Sequence, residues 1–318
     1  MDEVSQNYDP QVLTRISSLK ITAMNLVDGI LTGQHRSRHK GSSVEFAEYK
    51  DYSPGDEIRH IDWKVAGKTD KYHVKQFEQS TNLKCTILLD ASGSMAYQSP
   101  ADKGDSKLDY ACNLVAGLSY LFLKQFDAVG LTSFNDQVVQ HIPPRSKPSH
   151  LQHILHRLST LSPEGVTQIE DVLARLTERL QGRGMLILIS DFLTRDQDIQ
   201  KSLKLLRSRG LEVILFHVLH PDELNLPFEG DTVFESLEDD PTVGLNPIDV
   251  RERYQKAIQE QIDNLKNISN GLGVDYALMD TSIPLQQSLS YYLIKRKSLI
   301  KIELLDQKEF SLLPEFSC

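Results

Sequence analysis

Cysteine is scarce: Cys85, Cys112 and Cys318 are the only three among 318 residues, and no C-x-x-C spacing occurs. An odd count without paired spacing excludes a disulfide framework and gives no zinc motif. Cys85 and Cys112 sit inside apolar stretches and read as small core residues, which fits a reducing compartment. Long apolar runs are missing too. The longest are strand-sized, as over 185–189, far short of the ~20 residues that span a bilayer. The opening MDEVSQNYDP has neither the basic nor the apolar part of a signal peptide. The expectation is a cytoplasmic protein without membrane insertion. Positive charge is in deficit, with 35 Lys and Arg against 44 Asp and Glu and a net charge of −9. Nucleic acid is therefore not an expected partner.

Motifs of common enzymes are absent as well. No G-x-S-x-G nucleophile elbow occurs. Gly67-Lys68-Thr69 lacks the glycine that a phosphate-binding loop needs at the position of Asp62, and lacks a strand before it. Any nucleotide energy must then come from a partner. A haloacid dehalogenase-type phosphatase needs a second carboxylate two residues after its first, where this chain has Ser92.

What is present is an ordinary globular composition, 40% hydrophobic and 25% charged. A chain of this length buries ~75% of its unfolded surface. Helical spacing predicts helices over 11–31, 107–124, 149–159, 168–181, 197–208, 249–268 and 284–296. Strands are predicted over 83–89, 128–134, 138–142, 185–190, 211–219 and 274–278. This alternation implies βαβ units and a mostly parallel sheet. The chain divides into an N-terminal extension (1–80), an α/β domain (81–296) with an irregular insertion at 220–247, and a tail (297–318). Short strands at 44–49 and 72–77 are expected to pair with the insertion at 232–245 in a small side sheet.

In parallel sheets, sites form at the carboxyl ends of strands. After the strand at 83–89 comes Asp90-Ala91-Ser92-Gly93-Ser94, and after that at 185–190 comes Asp191. Thr167 opens a helix between them. Two carboxylates and three hydroxyls can converge there, a hard oxygen set suited to Mg²⁺. Each residue also has a plainer reading: Ser92 and Thr167 as helix N-caps, the aspartates as turn residues.

The set Asp90, Ser92, Ser94, Thr167 and Asp191 resembles the metal-ion-dependent adhesion site of von Willebrand factor A domains. Further stretches resemble the family known as domain of unknown function 58: His35-Arg-Ser-Arg38, Gly41, Glu45-Phe-Ala-Glu-Tyr49, Ser53-Pro-Gly-Asp56, Ile61-Asp-Trp63-Lys, His217-Val-Leu-His-Pro221 and Leu226-Pro-Phe228. The likeness spans about residues 30–296. It implies a von Willebrand factor A-like (Rossmann-like) α/β fold, a mostly parallel sheet flanked by helices. It also implies an adaptor or assembly role beside a MoxR-type AAA+ ATPase. Carried across, Ser92, Ser94 and Thr167 would bind Mg²⁺ (or Mn²⁺ or Ca²⁺) directly, and Asp90 and Asp191 mostly through water. Gln168 departs from the family, where an acidic or short polar residue is usual.

Two other clusters stand out. His150, His153 and His156 recur every third residue and are expected on a solvated helix face. The basic loop 35–40 suits an acidic docking surface or internal partners such as Asp51, Asp56, Glu57 or the acidic run 235–240. Trp63 is expected to pack the extension. The expectation is a non-enzymatic Mg²⁺-dependent interaction module that meets an Asp or Glu of its partner at the metal. The alternative is a metal-dependent hydrolase or phosphoesterase using Asp90 and Asp191.

Overall fold

The computed structural model describes residues 10–36, 49–51, 73–75, 83–101, 104–179, 184–193, 196–239 and 242–296. The Ser53–Asp56 turn, Trp63, Gly67-Lys68-Thr69, most of the basic loop, and the 297–318 tail with Cys318 lie outside these residues.

The chain forms two compact units, one of residues 1–31 with 83–318 and one of Thr32–Asn82. In the smaller unit, β1 (Tyr49–Asp51) pairs antiparallel with β2 (His73–Lys75). In the larger, six strands share one sheet: β3 (Lys84–Asp90), β4 (Ala128–Phe134), β5 (Val138–Arg145), β6 (Gly184–Ser190), β7 (Leu211–Leu219) and β10 (Asp275–Asp280), in the order β10-β7-β6-β3-β4-β5. All neighbours are parallel except β4 and β5, which a three-residue connection turns antiparallel. Numbered among themselves, these strands run 3-2-1-4-5-6, the doubly wound order. The α/β, helix-flanked architecture expected from the resemblance is thus the one observed. Its switch point lies between β3 and β6, whose carboxyl ends carry Asp90 and Asp191.

The four central strands of the sheet, β7, β6, β3 and β4, are buried on both faces and are nearly continuous apolar runs, while the edge strands β5 and β10 are partly exposed. Side chains alternate across it. Cys85, Ile87, Leu89, Ile187, Ile189, Phe216 and Val218 face one core, shared with α1 (Pro10–Arg36), α2 (Lys107–Lys124), α3 (His150–Ser159) and α8 (285–296). Leu88, Leu186, Leu188, Val213 and Leu215 face the other, with α4 (Ile169–Arg179), α5 (Asp196–Ser208) and part of α7 (Pro247–Gly271). Leu108, Ala111, Cys112, Val115, Leu118 and Phe122 of α2, one helical face, are all buried. Both Cys85 and Cys112 are buried and unpaired, and burial pushes the Cys112 thiol up to about 12.

One expectation is filled in and one is corrected. In the N-terminal extension, expected to pack against the α/β domain, Leu19, Ala23, Leu26 and Ile30 of α1 are buried in the main core. There Leu26 lies over Gly117 of α2, in the space a methyl group would need. The second concerns the side sheet. β8 (Thr232–Glu235) pairs only with β9 (Thr242–Leu245), and β1 only with β2, among the described residues. Each is a separate two-stranded antiparallel pair. The insertion also holds a short helix, α6 (Pro221–Asn225).

Candidate functional site

Asp90 ends β3 and is fully buried. Its Oδ1 accepts the Ser92 N–H at 2.9 Å, and its Oδ2 accepts the Ser190 hydroxyl at 2.6 Å. The first bond bends the chain into an Asx turn that leads to a 3₁₀ turn over Gly93–Ala96. The Ser92 and Ser94 hydroxyls lie 3.1 Å apart. Ser92 makes no side-chain capping bond, so its hydroxyl is not used as the plainer reading supposed. Asp191 follows β6 and is equally buried. Burial, and then the Asp191 charge, raise the Asp90 carboxyl to about 7 against the opposing Ser190 and Ser92 hydrogen bonds.

Beneath Asp191 lies a residue that motif reading missed. Lys107, the first residue of α2, is fully buried. Its ammonium donates to Asp191 Oδ2 at 2.7 Å and to Glu223 Oε1 at 2.6 Å. Burial favours the neutral amine, yet the two carboxylates together raise its pKa, so the ammonium persists. Glu223 is held in turn by the backbone N–H of His220, at 2.8 Å, in a capping box that starts α6. Behind Asp191 stands His217 of β7. Its Nδ1 lies 2.8 Å from the Tyr276 hydroxyl, and its ring meets Phe192 edge-on at 5.4 Å. Burial lowers the imidazole to about 4, despite the pull of Asp191.

Thr167 forms the rim. The loop before it is laid on the Asp90 turn by two backbone bonds, Glu164 N–H to Ala91 O at 2.9 Å and Gly93 N–H to Gly165 O at 2.8 Å. Gly165 has a φ of +78°, which allows this approach. Thr167 turns its hydroxyl outward and donates to Glu238 Oε1 at 2.9 Å, while its N–H reaches Oε2 at 3.3 Å. Glu238 lies in the connection between β8 and β9. The acidic run therefore supplies a partner to Thr167.

Four of the five predicted ligands thus gather at one strand-end floor, and Thr167 is tied beside them. Two oxygens that are adjacent in an octahedron at ~2.1 Å are ~3.0 Å apart, close to the 3.1 Å between the hydrogen-bonded Ser92 and Ser94 hydroxyls. Asp191 and Glu223 share the Lys107 ammonium, while Asp90 is held only by the Ser92 N–H and the Ser190 hydroxyl. The residues fit a hard divalent cation in donor type and in unbalanced charge. The set relies on hydroxyls. Among the described residues, no three or more His, Cys, Asp and Glu side chains gather where they could hold a metal. Of the α3 histidines only His150 departs from expectation: it is buried, with Nε2 3.0 Å from the Val129 carbonyl, while His153 is exposed as expected and His156 half-exposed.

The family model described as "Protein of unknown function DUF58" matches residues 48–264. The chain belongs to this family. Among curated DUF58 relatives, uncharacterized proteins of Mycobacterium bovis and Mycobacterium tuberculosis are each 28% identical over 234 residues, 72% of both chains. Uncharacterized protein YeaD of Bacillus subtilis is 22% identical over 142 residues, 45% of this chain and 32% of its own. Among solved structures, BatB of Bacteroides thetaiotaomicron is 19% identical with a TM-score of 0.45, covering 68% of this chain and 99% of its own. An aerotolerance-related membrane protein of Bacteroides fragilis is 20% identical, also at 0.45, covering 67% and 99%. In this DUF58 chain, no described helix is long and apolar enough to cross a membrane.

Proposed function

We propose that this DUF58 chain is a non-enzymatic, Mg²⁺-dependent protein-interaction module, acting in the cytoplasm as adaptor or assembly factor for a MoxR-type AAA+ ATPase and its client. Ser92, Ser94 and Thr167 would hold the cation directly, with Asp90 and Asp191 acting through water. Mn²⁺ or Ca²⁺ could replace Mg²⁺. The observation that carries this reading is the buried Asp90 beside Asp191 at the sheet's switch point, under a pair of hydroxyls at octahedral spacing. Such charge needs a counter-ion that Lys107 only partly provides. When bound, the cation supplies an electrophilic point that a partner's Asp or Glu can meet. The neutral hydroxyl ligands leave most of its charge for that contact.

The hydrolase alternative has less support. A nucleophilic or basic aspartate needs a free oxygen facing substrate. Asp90 and Asp191 are fully buried, so neither carboxylate is open to a substrate, although lone pairs remain on each to accept from a water.

Thermal unfolding with and without Mn²⁺ or Mg²⁺ tests the site. A cation at a hundred times its Kd stabilises the folded state by ~2.7 kcal/mol. Ser94→Ala should remove that gain and leave the metal-free stability nearly unchanged. An equal metal-induced shift in both proteins would refute the assignment.

A further inference from the structure

Over the candidate site lies a segment of the same chain. The connection between β8 and β9 places the Leu237 carbonyl against Gly93, so close that a methyl group there would lie 1.9 Å from the oxygen. One residue on, Glu238 gives one carboxylate oxygen to the Thr167 hydroxyl and the other to its N–H. A carboxylate is therefore already seated on the one direct ligand that lies at the rim, beside the turn that carries the other two. Its support is slight. Val233, Leu237 and Val243 are 67%, 50% and 53% exposed. Between Phe228 and Phe234 there is one aromatic contact, at 5.6 Å. Ser236 and Asp239 bond within the tip itself. This segment is held at its end by the site, and the core holds little of it.

We infer that Glu238 is an internal ligand surrogate: it occupies the place of a partner's carboxylate, and an incoming Asp or Glu must lift the hairpin tip to bind. This rests on the metal reading proposed above and adds its regulation. The chemistry selects the occupant class, since a carboxylate accepts from both the Thr167 hydroxyl and its N–H, as Glu238 does, and would also offer a negative oxygen to a cation bound there. It also sets a cost. When the competent state is fractionally populated, apparent affinity falls by that fraction, so a tip seated nine-tenths of the time weakens external carboxylates by about tenfold.

The test uses the full chain with Mn²⁺, whose effect on water proton relaxation counts the waters on the bound ion. Acetate serves as the probe carboxylate. Glu238→Ala should raise the relaxivity of bound Mn²⁺ by one water's share and strengthen acetate binding about tenfold over wild type. Glu235→Ala, an exposed neighbour on β8, should leave both values at wild type. If Mn²⁺ binds all three proteins with equal relaxivity and equal acetate affinity, the surrogate role is wrong while the metal site stands. If Glu235→Ala reproduces Glu238→Ala, the effect is general charge and the surrogate role is again wrong. If no protein binds Mn²⁺, the metal reading fails and this inference falls with it.

Discussion

The floor and the rim of the candidate site are built in opposite ways. On the floor, Asp90, Ser190, Asp191 and Lys107 are fully buried, and the buried ions all have partners at 2.6–2.9 Å. They project from β3, β6 and α2, the most deeply packed elements of the sheet. On the rim, Thr167 meets Glu238 through a hairpin with largely exposed apolar residues. A buried charge network is costly to disturb, because each unpaired ion keeps its desolvation penalty. A surface loop can be moved for little. Under the proposed metal reading the floor is the cation's cradle and the rim its cover, and each half can be broken separately.

The largest effect should come from the floor. Lys107→Met removes the ammonium and leaves Asp191 and Glu223 buried without a counter-charge. The loss expected for breaking a buried pair is about 3–5 kcal/mol, measurable by urea denaturation. Mn²⁺ should restore part of it if a divalent cation can take up the excess charge. A loss under about 1 kcal/mol would mean that water reaches these carboxylates and that the floor is no more rigid than a surface pair.

Second in size is a pH effect from the same floor. His217 is held low, at about 4, facing Tyr276, Phe192 and the charges of Asp191 and Lys107. An imidazole ordinarily near 6.5 then favours folding while neutral. Its contribution is complete above pH 6.5 and is lost as pH falls through about 4. The difference is worth about 3 kcal/mol. Asp90 acts in reverse in the metal-free protein. Its carboxyl is raised to about 7, so its contribution is full below about pH 4 and is lost as pH rises through 7. His217→Gln should therefore remove the acid-side loss, read as the difference in unfolding free energy between variant and wild type from pH 7 to 4. A difference independent of pH would show that His217 is solvated in the folded protein.

Residue pattern revealed most of the floor and little of what balances it. Strand ends and alternation located Asp90 and Asp191, because a buried parallel strand is an unbroken apolar run that stops where the backbone leaves the sheet. Lys107 was read only as the start of a helix. It did carry a signal: a cation in a helix's first turn opposes the macrodipole, and Ser106-Lys107-Leu108-Asp109 is a capping box with that cation inside it. Glu223 was likewise marked by the box opening at His220. Glu238 had no such signal. Acidic runs are usually solvated, and only the register of a short hairpin brings this carboxylate to Thr167. The side sheet was misjudged for the same reason, since strands of three or four residues carry too little periodicity to name their partners.

The smallest effect should fall on the rim alone. At Gly93 no left-handed backbone is required, so alanine is tolerated there by the chain itself. What it meets is the Leu237 carbonyl, and Gly165 O at 3.3 Å. Backbone at 1.9 Å cannot yield as a flexible side chain could, so Gly93→Ala should push the hairpin tip away and pull Glu238 off Thr167. The tip packs little, so global stability should change by about 1 kcal/mol or less. Local protection should change much more. The Thr167 amide, bonded only to Glu238 among the described residues, should exchange with solvent faster. The Ser92 amide, bonded to Asp90 within the floor, should keep its wild-type rate. Hydrogen exchange read at both amides decides the matter. If Ser92 loses protection together with Thr167, floor and rim open as one unit, and the cover cannot move without dismantling the cradle.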